Sequence, residues 1–246
     1  MPSVHLLTRK EEIIPEKTYG LTVVVIDTLL ATSTIAMLLN KGAKSVIPAK
    51  SKKEAIQEAE SRRNNSFILA GEHLGFEIEG FEKPDPLHLV QKDITDKDII
   101  LLTTNGTVAL NESSNGKNVY AVSPFTAAAA AAAINDYHRD DSLLIVCSGN
   151  HGRFSIEDFL TADHLLTCLT SKDWDLSDGS KAALTLYENA SPSLRHTIYN
   201  ESETALFLNK INFYPIWKNF NESYSFVPAL HNHCLIRKSV EQKIKE

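Results

Sequence analysis

Four short runs of Val, Ile and Leu, each stopping abruptly at a cluster of small polar residues, restrict this chain more than any other feature. The runs are Leu21 to Ile26, Phe67 to Ala70, Ile99 to Leu102 and Leu143 to Val146. They are too short for helices and almost wholly apolar, as strands covered on both faces must be. Between and after them come helical stretches: Ser33 to Lys41 closed by Gly42, a capping box Ser51-Lys-Lys-Glu54 opening a helix toward Arg63, a short helix from Thr107, and an alanine-rich helix opening near Pro124. Further strands are expected at 45–48 and 118–122. This alternation predicts an α/β fold of three layers, α/β/α, around a mainly parallel or mixed sheet, in one compact unit or two closely joined lobes dividing near 111–118.

The segment Gly71 to Gln91 breaks the rhythm with Gly75, Gly80, Pro84 and Pro86, and reads as an excursion over the sheet edge and a candidate lid. From 155 to 218 the chain reads helical, in pieces broken by Gly179, Pro192 and Pro215, and Tyr224 to Ile236 reads as one or two closing strands.

At 246 residues, 43% hydrophobic and 23% charged, the composition is that of a water-soluble globular protein. A formal charge of −6 with no Lys/Arg-dense patch argues against nucleic acid as a partner. No apolar run is long enough to span a bilayer, and the N-terminus lacks the charged and apolar regions of a signal peptide, so a cytoplasmic location is expected. Cys147, Cys168 and Cys234 share no metal-binding spacing and form no disulfide framework.

The polar clusters at the run ends carry the chemistry, because parallel strands deliver their carboxyl ends to one crevice. Asp27 follows a buried run directly, as a ligand for a hard cation, a general base, or a helix cap. Thr32, Ser33 and Thr34 behind it offer further oxygens for phosphate or metal, or serve as caps. Glu72 ends a second run, as a ligand or as a solvated loop charge, with His73 beside it. Thr103-Thr104-Asn105-Gly106-Thr107 is either a helix-opening turn that presents amides to an anion or an ordinary Asn-Gly turn.

Ser148-Gly149-Asn150-His151-Gly152 can curl into an anion-binding nest with Arg153 as a positive fork. Ser155 then caps a helix whose first turn holds Glu157 and Asp158, as dipole partners or as metal ligands. Cys147-x5-Arg153 also has the spacing of a thiolate phosphatase loop, the competing reading being a buried thiol. His231-Asn-His233 alternates as a strand would, which sets both imidazoles on one side in a structural or exposed role.

In their order, these segments resemble the 2-phosphosulfolactate phosphatase family, from about Val24 to Asp163 and again near Phe226-Val-Pro228. The resemblance implies an α/β fold, a Mg²⁺-dependent phosphoric monoester hydrolase, a small anionic phosphate ester as substrate and a homodimer. It implies catalytic roles for Asp27, Asn105 and Arg153 and a metal site drawn from Asp27, Glu72, Glu157 and Asp158. Thr32, Ser33, His73, Thr104, Asn105, Gly106, Thr107, Ser148, Gly149, Asn150, Gly152 and Arg153 would hold phosphate or substrate. Three positions depart from the family pattern: Leu30, His73 and Val108 stand where it has arginine. Arginine is the residue suited to bidentate recognition of oxyanions. A less charged phosphate ester therefore fits this chain better than phosphosulfolactate. A non-catalytic paralogue that binds a small ligand or a protein is the alternative.

Overall fold

The fold, taken from a computed structural model, is described for residues 1–63, 66–169, 174–213 and 216–240. The chain opens with β1 (Ser3–Leu7), β2 (Thr22–Ile26), α1 (Ala31–Asn40), β3 (Ser45–Ala49) and α2 (Lys52–Glu60). Then follow β4 (Phe67–His73), β5 (Phe76–Glu77), α3 (Pro86–Leu89), β6 (Asp98–Leu102), α4 (Gly106–Glu112) and β7 (Asn118–Val122). The second half runs α5 (Ala127–Tyr137), β8 (Leu143–Cys147), α6 (Ile156–Cys168), β9 (Asp175–Leu176), α7 (Asp178–Asn189), α8 (Pro192–Glu201) and α9 (Glu203–Lys210). A hairpin of β10 (Phe226–His231) and β11 (Cys234–Ser239) ends it.

The expected strands and helices are present. Ser51 caps α2 by accepting from the Glu54 amide, and Gly42 follows α1 with φ of 98°. Glu54 reaches back one residue further than a capping box requires, to the Lys50 amide at 2.8 Å. Two strands are additional to the expected set: β1, whose buried Val4 and Leu6 alternate with outward Ser3 and His5, and β9. Gly179 lies inside α7 and does not break it, because it occupies the first turn, where the amide needs no helical partner. The break expected at Pro215 lies outside the described residues.

The strands form one mixed sheet in the order β5-β4-β6-β3-β11-β10-β7-β2-β8-β1-β9. Within it β4, β6 and β3 make one parallel block, and β7, β2, β8, β1 and β9 make a second. The terminal hairpin stands between them, antiparallel to both, and joins each at a single register pair: Leu235 with Val46, and Ala229 with Tyr120. Helices α1 and α4 are the two crossovers between blocks. They share one face, where Ile35, Leu38, Leu39, Ala109 and Leu110 pack with Val23, Val25, Val46, Ile99, Phe226 and Leu235. On the opposite face, α5 and α6 bury Val24, Ile26, Tyr120 and Ile145, and α2 covers Ile47, Ala49 and Ile100. The period-2 alternation of each strand thus supplies both faces. No helix among the described residues is long and apolar enough to cross a membrane.

Two loop expectations change. The excursion after Gly71 is not a free lid: Glu82 pairs alongside β4 through Gly71 N–H to Glu82 O at 2.9 Å and Glu82 N–H to Leu69 O at 2.8 Å, and the Leu74 amide donates to Thr104 Oγ1 at 2.8 Å. Nor do His231 and His233 share a strand face. Asn232 and His233 have φ of 47° and 64°, the left-handed pair that a two-residue hairpin turn demands.

The hairpin holds the two blocks in one sheet, so its buried anchor should be costly to remove. Phe226 is 1% exposed and stacks on Tyr224 at 5.8 Å. Phe226→Ala should lose about 3–5 kcal/mol in urea unfolding, whereas Ile236→Ala, at 37% exposure, should lose under about 1 kcal/mol. Equal losses would show that the hairpin does not carry this core.

Candidate active site

Asp27 leaves β2 at its carboxyl end with 7% exposure. The turn behind it is closed by its own hydroxyls. Thr32 Oγ1 donates to Asp27 O at 2.8 Å and accepts from Asp27 N–H at 3.1 Å, while Ser33 Oγ donates to Thr28 O at 2.8 Å. Both side chains are fully buried and occupied, so Thr32 and Ser33 shape the loop and are not free to take phosphate.

The amino end of α4 presses against this carboxylate from the other block. A Cβ at Gly106 would lie 2.6 Å from Asp27 Oδ2 and 2.4 Å from Ala31 Cβ, so glycine is required for the approach. The Gly106 and Ala31 amides both donate to Asp27. Thr103 and Thr107 lock the turn by exchanging hydroxyl and backbone bonds of 2.9–3.1 Å, which corrects Thr107 from phosphate contact to structure. Asn105 is the residue ahead of the helix; its Oδ1 accepts from Lys10 Nζ at 2.8 Å.

Lys10 was missed in the sequence. It follows the unrecognised β1, so the alternation of Val4 and Leu6 was the signal for a fifth parallel strand end, Thr8-Arg9-Lys10, which supports the cleft from outside its lining through Lys10 on Asn105.

Glu72 ends β4 and binds the neighbouring strand end with both oxygens. Oε1 accepts from the Thr104 amide at 2.6 Å, and Oε2 from Thr104 Oγ1 at 2.8 Å and the Gly75 amide at 2.6 Å. His73 is exposed and lies outside the cleft wall, contrary to its expected substrate role, because strand alternation turns it away from Glu72.

The 148–153 loop has the positive φ values of a nest at Gly149, His151 and Gly152. Its first amides are already used: Ser148 N–H donates to Ile26 O, Gly149 N–H to Asp158 Oδ2, and Asn150 N–H to Arg153 O. Ser148, Gly149 and Gly152 also stand outside the cleft wall. The loop presents side chains to a ligand, from Asn150, His151 and Arg153, and not a cradle of amides.

Asp158 is corrected in the same way. Its two oxygens accept from Thr28 N–H at 2.8 Å and Gly149 N–H at 3.1 Å, tying the ends of β2 and β8 together. Ser155 caps α6 at the Asp158 amide as expected. Cys147 is fully buried inside β8, and burial, then the charges of Asp158, Glu157 and Glu12, push its thiol well above the ordinary range. A neutral thiol sealed in a sheet is no nucleophile.

The remaining residues meet in a cleft of about 260 Å³. Asp27, Glu72, Thr104, Asn105, Asn150 and Arg153, drawn from four strand ends, all line it. Arg153 pairs with Glu203 of α9 at 3.0 Å, both side chains more than half exposed.

Residues 7–215 match the family described as 2-phosphosulpholactate phosphatase. The chain belongs to this family. It is 33% identical over 219 residues to a probable 2-phosphosulfolactate phosphatase of Clostridium novyi, covering 88% of this chain and 87% of the relative. A protein of the same description from Caldanaerobacter subterraneus is 40% identical over 168 residues, 68% of this chain and 69% of the relative. A third, from Clostridium acetobutylicum, is 32% identical over 188 residues, 75% of this chain and 79% of the relative. The 2-phosphosulfolactate phosphatases are phosphoric monoester hydrolases, and the shared region takes in every strand end that reaches the cleft.

In this member of the 2-phosphosulfolactate phosphatase family, carboxylates crowd one another at the cleft and behind it. Burial, with the charges of Glu72 and Glu157 added, pushes Asp27 up to about 7 against the opposing amides of Ala31 and Gly106. Burial, then Asp27 and Glu157, raises Asp158 well above the carboxylate range. Glu157 is 3% exposed and adds its charge from behind the cleft wall. Among the described residues, no three or more acidic, imidazole or thiol side chains are grouped closely enough to hold a metal ion. Mg²⁺ does not need such a group, being held by one or two carboxylates plus water and phosphate oxygens. Asp27 and Glu72, the two carboxylates on the strand-end lining, are the donors such a cation could use.

The sign of the Asp27 shift sets a pH test on chelator-treated protein. Its folded pKa exceeds the unfolded value, so its stabilising contribution is complete below about pH 4 and is lost as pH rises through about 7. At pH 8, Asp27→Asn should be more stable to urea than the parent by on the order of 2–4 kcal/mol, and the gap should close near pH 4. Parallel pH profiles for the two proteins would refute an uncompensated carboxylate.

Proposed function

We propose that the protein is a phosphatase that hydrolyses a small phosphate monoester, with Mg²⁺ as cofactor and the reaction centred on Asp27. The observation that carries this reading is a buried carboxylate raised to about 7, at a strand end in a cleft that also holds Arg153 and Asn105. Hydrolysis breaks the bond from phosphorus to the ester oxygen and forms one from phosphorus to water. The water loses a proton to solvent and the departing alkoxide gains one.

Arg153 is assigned to the phosphate oxygens: its pairing with Glu203 is solvent-exposed and therefore weak, so the guanidinium can exchange partners. Asn105, with Oδ1 occupied by Lys10, is assigned to offer its amide N–H groups to a transferring group. Lys10 positions that amide and adds positive charge near it. His151, on the Arg153 loop and lining the cleft, is assigned to protonate the leaving oxygen. When bound, Mg²⁺ held by Asp27, with Glu72 as a second carboxylate of the lining, would supply a Lewis acid that polarises the phosphate and acidifies water.

Turnover of a generic aryl phosphate should stop in excess chelator and return with Mg²⁺. Asp27→Asn should lower kcat by about 10³ or more, and Arg153→Ala should lower kcat/KM by about 10²–10³. Lys10→Met should cost about 10-fold or more in kcat, since it removes the partner that orients Asn105. Cys147→Ala should stay within about threefold of the parent. Turnover that survives the chelator and dies with Cys147→Ala would overturn the reading in favour of a thiolate.

A further inference from the structure

The cleft lining mixes polar groups with a run of hydrocarbon. The strand ends supply polar groups, while the turns after β2 and β4 add Leu30 and Leu74, and α9 with the segment behind it adds Phe207, Leu208, Ile211 and Phe213. Several of these pay the ordinary penalty of exposed hydrocarbon: Leu74 is 47% and Phe207 41% exposed. The wall is also continuous. A Cβ at Gly75 would lie 2.6 Å from the Phe207 ring, so the turn after β4 and helix α9 are in direct contact. Gly75 and Leu74 both take positive φ to make that turn, with Leu74 at 54°.

Charge points the same way. Among the described residues, Arg153 is the one Arg or Lys side chain in the cleft lining, against Asp27, Glu72 and Glu203. If Arg153 takes the phosphate and His151 the leaving oxygen, no Arg or Lys of the lining is left for a second anion, and Lys10, outside the lining, is held by Asn105 and Glu11. A carboxylate or sulfonate on the rest of the substrate would meet leucine, phenylalanine and the Glu203 carboxylate. A desolvated anion without a partner is strongly disfavoured. Hydrocarbon in the same place would cover Leu74 and Phe207 and gain from their burial.

We infer that the substrate is a phosphomonoester whose non-phosphate part is apolar and uncharged, an aromatic ring or a short alkyl chain seated against Leu30, Leu74 and Phe207. This rests on the phosphatase reading for the phosphate end alone; the apolar end stands on the wall itself.

The test measures kcat/KM for methyl, butyl, hexyl and benzyl phosphate beside 2-phosphosulfolactate, and calorimetric affinities for the matching alkylphosphonates, with Mg²⁺ present. Benzyl and hexyl phosphate should exceed both methyl phosphate and 2-phosphosulfolactate by about 10-fold or more. Phosphonate affinity should rise with chain length. Phe207→Ala should lower kcat/KM for benzyl phosphate about 10-fold and leave methyl phosphate within about threefold. Its residue is partly exposed, so the variant should keep its melting temperature. Leu30→Arg should move the preference toward 2-phosphosulfolactate.

If 2-phosphosulfolactate outpaces the apolar esters, the apolar class fails and the phosphatase reading stands. If no ester turns over while phosphonate affinity still climbs with chain length, the phosphatase reading fails and the apolar end stands. Flat phosphonate affinity overturns the inference whatever turnover shows.

Discussion

The contact between Asp27 and Gly106 is the constraint around which this structure is arranged. It joins the carboxyl end of β2, in one parallel block, to the start of α4, which leaves β6 in the other. A Cβ at position 106 would come within 2.6 Å of Asp27 Oδ2, so only glycine permits the approach. Because α1 and α4 are the crossovers between blocks, that one contact also fixes where the blocks meet. The cleft opens there, as a change of strand direction in an α/β sheet leads one to expect. Burying a carboxylate at the junction, with Glu72 and Glu157 adding charge, stores an electrostatic demand that a cation or proton must meet.

Around that carboxylate, polar residues divide into those that build the loops and those that face a ligand. Thr32, Ser33, Thr107 and Asp158 satisfy backbone groups within a few residues or across adjacent strand ends. Those bonds leave them nothing to offer a substrate, but they hold Asp27, Thr104 and Asn150 still. Preorganisation of this kind is what phosphoryl transfer chiefly asks of a protein. Glu72 lies between the two groups: it lines the cleft, yet its oxygens already accept three bonds.

Much of this was legible in the sequence because buried parallel strands write themselves as unbroken apolar runs, and their ends name the crevice. The placing of Asp27, Glu72, Asn105 and Arg153 at one crevice follows from that pattern, and all four line the cleft. Residue type could not separate a hydroxyl facing a ligand from one closing its own turn, which is why Thr32 and Thr107 were misassigned. Lys10 was lost with β1, a strand whose outward Ser3 and His5 dilute the apolar signal. The place of the terminal hairpin was illegible for a different reason: single register pairs at Leu235 and Ala229 leave no local trace. The apolar wall likewise comes from α9 and the β4–β5 turn, whose Phe207 and Leu74 look in sequence like ordinary surface residues.

The central claim is that Asp27 carries an uncompensated buried charge waiting for a cation. Selective ¹³C labelling of aspartate side chains, with the Asp27 carboxyl assigned by comparison with Asp27→Asn, reads that charge directly by NMR titration. The account predicts a midpoint near 7 in metal-free protein and a fall of about 2 units or more in saturating Mg²⁺. A midpoint near 4 in both conditions would contradict it.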